Sequence, residues 1–368
     1  MAYRFLLCII ALVPGALDAQ AHDHASPRWW SLGAQVIPVV THATPADRGR
    51  DLTEAYLTQP NLFGSARLGP VSVHVTVNLE GLTLERGELN AGTWGEGYID
   101  RRHPHTYLHE AVVSVGASRG FLGGSLTLGR GFAPFGTDDP MSRPFVKFPA
   151  NHHLSQVLER LLMIGAVRAG PVGLEFGLIN GDEPVNPRSL GTIDRFGDSW
   201  TTRLTLRPLE GLELQASHAS LESPEQPEGS SLDQRKWDVS LRHEKRGENF
   251  AHYLLLEWAR SSELSDGTEE LAFTSLLGEA SIRRGAWQTG VRLERTLRPE
   301  EERVGTIFRS PWPHTDEHVL GVTRWLIATA NVSHAFSLQG VRLAPVLEVS
   351  RQWARLTAGL PFYTPAQL

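Results

Sequence analysis

Three histidines, His103, His105 and His109, stand close together in GYIDRRHPHTYLHE at 97–110. Alternate residues of an extended chain share one face about 6–7 Å apart, so imidazole ligation of a metal is one chemistry this stretch offers. A second set lies in GRGFAPFGTDDPMSRPFVKFPANHH at 129–153, where Asp138 and Asp139 accompany His152 and His153, the donor types of a mixed carboxylate and imidazole cation site. His22 and His24 form a third. Each has a plainer explanation: the spacings match no zinc pattern such as H-E-x-x-H, and adjacent side chains in extended chain point apart. His22 and His24 sit in a polar leader. Serine hydrolysis lacks its G-x-S-x-G setting, and the carboxylate pairs Asp138-Asp139 and Glu269-Glu270 are read as solvated loop charges. The expectation is a chain that is not an enzyme and holds no cofactor or metal. What these residues do then depends on the elements that carry them.

Those elements are strands with two unlike faces. In VSVHVTVNLE, Val71, Val73, Val75, Val77 and Leu79 alternate with Ser72, His74, Thr76, Asn78 and Glu80, a period of two. The same alternation sets Trp200, Leu204 and Leu206 against Arg203 and Arg207, Trp237, Val239 and Leu241 against Asp238 and Arg242, and Trp287, Val291 and Leu293 against Arg292 and Glu294. Such strands separate two solvents. By this parity His109 falls on the face of Ala111, Val113 and Val115, so Tyr107 and His109 are read as membrane-interface residues.

The N-terminus carries Arg4, an apolar run from Phe5 to about Leu17 and then Ala19-Gln20-Ala21, the pattern of a secretory signal peptide over 1–21. A polar leader over 22–30 and a barrel over 31–368 are the expected units. The sole cysteine, Cys8, lies inside the apolar run, so no disulfide framework is available. A net charge of -6, with Lys147, Lys236 and Lys245 the only lysines, excludes a nucleic-acid binder, which needs excess cations to displace counterions from phosphates. No run of 18 apolar residues follows residue 21, so a helical span is excluded.

Strands of about ten residues come in pairs across short turns, and long segments at about 81–106, 131–159, 181–197, 222–234, 261–270 and 297–318 separate the pairs. Short turns on one side and long loops on the other are what an all-β transmembrane antiparallel barrel of the outer membrane requires. Trp200, Trp237, Trp258, Trp287, Trp325 and Trp353 are candidates for its aromatic girdle. About fifteen strands are counted from residue 31 on. Closed bacterial barrels carry even numbers, so the expectation is sixteen strands with the last one missing from the chain, and fourteen as the fallback.

Within this pattern GRGFAPFG at 129–136, followed by LER at 158–160, resembles the phosphate-selective porin O/P group of outer-membrane barrels. The resemblance implies that the loop at 131–159, stiffened by Pro134, Pro140, Pro144 and Pro149, folds inward and sets the pore constriction. Its lining would be Asp138, Asp139, Arg143 and Lys147, with His152 and His153 at its far end. Phosphate selectivity is poorly matched by so balanced a charge. The alternation itself nominates His74, Asn78, Glu80, Glu110, Arg203, Arg207, Arg242, Arg292 and Glu294 as pore lining, and Arg101 and Arg102 as mouth charges. The expected partners are outer-membrane lipid and small hydrophilic solutes, with the oligomeric state left open, a homotrimer included. A plugged barrel with a binding or structural role is the alternative, and a metal-binding or hydrolytic barrel ranks below it.

Overall fold

The computed structural model describes residues 3–14, 29–44, 52–84, 106–137, 143–184, 186–225, 228–229, 231–301, 319–338 and 341–359. Its strands are β1 (Tyr3–Pro14), β2 (Trp30–Thr44), β3 (Leu52–Leu68), β4 (Val71–Asn78), β5 (Leu108–Arg119), β6 (Leu122–Gly131), β7 (Arg160–Ala169), β8 (Val172–Ile179) and β9 (Ser199–Leu209). Then follow β10 (Leu212–Leu221), β11 (Asp233–Arg246), β12 (Phe250–Ser265), β13 (Thr268–Arg284), β14 (Trp287–Glu301), β15 (Val319–His334), β16 (Phe336–Leu338) and β17 (Val341–Gly359). Two single-turn helices, α1 (Glu80–Thr83) and α2 (His152–Ser155), interrupt the long connections.

All strands join one antiparallel sheet, each pairing with its sequence neighbour. Short β16 continues the pairing of β15 along β17, and β1 pairs with both β17 and β2, so the ladder of sixteen full strands returns to its start. From residue 31 on this is the expected fifteen. The sixteenth position is filled by Tyr3–Pro14, the segment covered by the leader pattern, whose backbone sets Ile9 opposite Glu348 on one side and Thr41 on the other. Unlike the other full strands, its sequence is apolar at both sets of alternate positions apart from Arg4.

Register carries one face around the wall. The pairs Ser72↔Ser114, Ser114↔Thr127, Glu175↔Arg203, Ser217↔Asp238, Glu279↔Arg292 and Asn331↔Glu348 all lie on it. On this face Asp238, Glu257 and Arg292 are at most 1% exposed, while on the opposite face Val239, Leu256 and Leu293 are 50%, 50% and 62% exposed. Polar groups inside and apolar groups outside invert the rule for a protein in water. They suit a wall with lipid outside, where a closed ladder also leaves no backbone N–H or C=O without a partner.

Three local readings are corrected. The segment 261–270 is no long loop: β12 and β13 meet across Asp266-Gly267, both at positive φ (49° and 78°), so Glu269 and Glu270 lie in a strand and Glu269 pairs with Arg260. Asp-Gly between alternating stretches is the signal for such a two-residue hairpin turn. Trp325 faces inward, opposite Thr296, and is 2% exposed, whereas Trp237, Trp258 and Trp287 are exposed on the outer face. Glu80 does not extend β4. The strand stops at Asn78, and Glu80 opens α1, accepting bonds from the Gln59 N–H (3.0 Å) and Asn78 Nδ2 (3.3 Å).

A cation placed on the outer face tests the two-solvent wall. Leu256→Arg is expected to cost about 2–4 kcal/mol of folding stability in lipid vesicles, as for a charge near mid-membrane. Denaturant titration of the refolded protein reads this, and a near-neutral effect would mean that the face meets water.

Candidate functional site

The connection between β6 and β7 enters the interior. Prolines 134, 144 and 149 deny it a regular ladder, so its polar groups must find partners elsewhere. The wall supplies them, largely as glutamates on the inner face. Glu348 accepts the Val146 N–H through Oε2 (2.9 Å) and the Lys147 N–H through Oε1 (3.2 Å). Glu294 Oε2 accepts the Ala150 N–H at 2.6 Å, and Asn331 Nδ2 donates to the Pro144 carbonyl at 2.7 Å. Glu257 gathers Thr137 Oγ1 (2.6 Å), Asn151 Nδ2 (2.8 Å) and Arg143 Nη2 (3.2 Å).

Arg143 is 3% exposed and its second terminal nitrogen lies 3.6 Å from Glu279 Oε1. Burial opposes its charge, but the Glu257 and Glu279 carboxylates outweigh that and hold its pKa above the ordinary arginine range. Glu279 also accepts from Arg292 Nε (2.7 Å), and the Arg292 guanidinium lies over the Phe145 ring (4.1 Å) while donating to the Lys147 carbonyl (2.8 Å). Lys147 is 6% exposed and its Nζ donates to Tyr56 OH at 2.6 Å, across the interior on β3.

Apolar positions on the otherwise polar inner face mark where the loop rests. Ala133, Phe135 and Val157, from its two ends, pack with Leu162, Ile179, Ala219 and Leu221 of β7, β8 and β10. Leu154 packs with Ala259 and Phe273 of β12 and β13. Gly136 sits where the loop's two ends meet, with φ +67°, and a Cβ there would lie 1.7 Å from the Ser155 carbonyl oxygen. Both conditions require glycine.

The flanking motif residues tie the loop to its neighbours. Arg130 donates from Nε to the Leu108 carbonyl (2.9 Å) and from Nη2 to Thr106 Oγ1 (3.0 Å). Glu159 Oε1 receives the Thr106 N–H (3.3 Å) and meets His109 Nδ1 at 2.7 Å, and Arg160 Nη2 pairs with Glu183 at 3.0 Å. His109 is therefore not at a lipid interface. It is 3% exposed, because the register slips between Thr76 and Val77 and breaks the parity of β5 at that residue.

Of the remaining expected residues, His74 and Glu110 meet at 3.3 Å, Arg203 pairs with Glu175 at 2.6 Å, and Arg207 and Arg242 both pair with Glu213. Asn78, Arg292 and Glu294 are buried on the inner face. His152 is buried beside Phe148, and its Nδ1 lies 3.2 Å from the Pro149 carbonyl. Asp138, Asp139, Arg101, Arg102, His103 and His105 lie outside the described residues, and the His153 side chain is likewise not described. Among the described residues no three His, Cys, Asp or Glu side chains converge as for a metal. Glu257, Glu279 and Glu348, which anchor the loop, were not singled out from sequence, although their place in period-two strands was a usable signal.

No family model matches the chain, and no curated protein matches it. Solved structures similar to it include an anion-selective porin from Comamonas acidovorans, with 12% identity over 96% of this chain and 99% of that one and a TM-score of 0.39. The outer-membrane channel DcaP of Acinetobacter baumannii gives 9% identity over 96% of each chain at a TM-score of 0.43. OpdK of Pseudomonas aeruginosa, solved with vanillate, gives 10% identity over 96% and 99% at 0.35. The narrower resemblance to the phosphate-selective group gains nothing from them.

Removing an anchor tests the docking of the loop. Glu257→Ala leaves Arg143 short of a buried counter-charge, a loss of about 3–5 kcal/mol in the usual range for a broken buried pair. Amide hydrogen exchange over 143–157 is expected to accelerate while the β12 ladder stays protected. Equal acceleration in both would show that the loop and wall open together.

Proposed function

We propose that this protein is an outer-membrane channel for passive diffusion of small hydrophilic solutes, its lumen narrowed by the loop between β6 and β7. The observation that carries this reading is the inverted wall: an antiparallel ladder, apolar outside and polar inside, retaining a cavity of about 560 Å³ lined by Ser72, Ser114, Arg168, Arg203 and Arg242. Water and ions would be at home on such a face, and lipid on the other. No covalent chemistry is called for, and the charged groups act by orienting and filtering solutes.

Export by a cleaved leader over 1–21 belongs to the same proposal. Cleavage would remove Tyr3–Pro14 and with it the pairings of β1 to β17 and β2. Mass spectrometry of chain recovered from outer membranes is expected to find the N-terminus at His22, and an intact Met1 in the assembled protein would exclude a cleaved leader.

A plugged barrel with a binding role is the second reading, favoured by the reach of the loop, whose bonds touch β3, β9, β10, β11, β12, β13, β14, β15 and β17. Conductance in planar bilayers separates the two. The refolded protein is expected to form discrete ohmic pores, and the double variant Arg143→Ala, Asn151→Ala, with its loop loosened, larger ones. Heat-modifiable protein that never conducts, in either form, would favour the plug.

A further inference from the structure

We propose that solutes cross along the inner face of β5 to β9, and that the Glu175–Arg203 pair is the constriction that gives the pathway a preference for small anions. This rests on the channel reading above. The loop's own cations are poor candidates for the filter, because Arg143 and Lys147 are 3% and 6% exposed and engaged with Glu257, Glu279 and Tyr56. Their charge and hydrogen-bonding capacity are committed to holding the loop against β12, β13 and β3.

Open space among the described residues includes two cavities that meet at one ion pair. The cavity of about 560 Å³ at the short-turn end is lined by small residues, among them Gly116, Gly124 and Gly173, which keep the wall thin. A second cavity of about 240 Å³ lies between the loop ends and the wall, bounded by Phe132, Phe135, Gln156 and Ile164. Among the described residues the two share only Glu175 and Arg203. These side chains are 28% and 21% exposed and joined at 2.6 Å, and Arg203 also donates to the Gly136 carbonyl at 3.3 Å, so the pair stands between the cavities and touches the loop.

The charge beside this partition has one sign in excess. Arg67, Arg168, Arg203, Arg207 and Arg242 line the larger cavity, five guanidinium groups against the carboxylates of Glu175 and, through its pairs with Arg207 and Arg242, Glu213. Arg67 and Arg168 make no ion pair among the described residues. A low-dielectric wall focuses such a field, raising the local concentration of anions, and a guanidinium can take a carboxylate or other oxyanion in bidentate fashion. Arg203 would exchange Glu175 for the passing solute.

Reversal potentials across a KCl gradient in planar bilayers test the constriction. Glu175→Gln is expected to raise the chloride-to-potassium permeability ratio and Arg203→Gln to lower it, each by at least about twofold. Heat-modifiable migration verifies that both variants fold. Cysteine labelling in a Cys8→Ser chain tests the side of passage: a methanethiosulfonate reagent should reduce current through Ser125→Cys, in the open cavity, and leave Ser275→Cys, beneath the loop, unaffected. Conducting variants with wild-type reversal potentials, or current reduced at Ser275→Cys and not at Ser125→Cys, would overturn the inference and leave the channel reading intact. A wild-type protein that folds and never conducts would remove both.

Discussion

A strand ladder that closes on itself permits only two environments for side chains, and the alternation of the backbone assigns each residue to one of them. In lipid the closure is obligatory, since an unpaired N–H or C=O facing hydrocarbon costs several kcal/mol. Once closed, the sheet cannot slip by one residue without exchanging the faces of a whole strand, which would turn Glu257 or Arg292 toward lipid and Leu256 or Leu293 toward the lumen. The arrangement of charge in the interior follows from that register. Glu279 meets Arg292, and Glu175 meets Arg203, because they are directly opposed across neighbouring strands.

The loop between β6 and β7 depends on this wall in turn. A chain broken by proline every few residues cannot saturate its own amides, and where it packs against the wall those amides are buried from water. Glu348 and Glu294 accept backbone N–H groups, and Glu257 accepts side-chain donors, at positions where the strand parity already aims carboxylates inward. Apolar contacts complete the seat, with Phe135 and Val157 over Ile179 and Leu221, so the inner face is polar where it stays open and mixed where it is covered. The cations that sequence alone would place in a filter are thereby drawn into the structure of the loop.

Departures from alternation were informative about local structure. The parity that put His109 on the lipid side fails at the β4–β5 register slip, where one extra residue turns the imidazole toward Glu159. Parity also placed Trp325 on the inner face, so residue type alone was a poor guide to the aromatic girdle. Asp266-Gly267, by contrast, carried its hairpin signal in plain view, and the length of polar sequence around it obscured a turn of two residues.

The alternation of residue types by itself determined the fold class, the fifteen strands from residue 31 on and the face on which His74, Arg203, Arg242, Arg292 and Glu294 lie. Period two is a local property of the backbone and needs no partner to be read. Only the tertiary structure decided which inward groups meet. Glu257 and Arg143 are separated by more than a hundred residues, and their contact depends on how the loop crosses the lumen. The same crossing leaves Glu175 and Arg203 beside open space, although the loop's ends pack on β7, β8 and β10 and its Gly136 carbonyl accepts from Arg203.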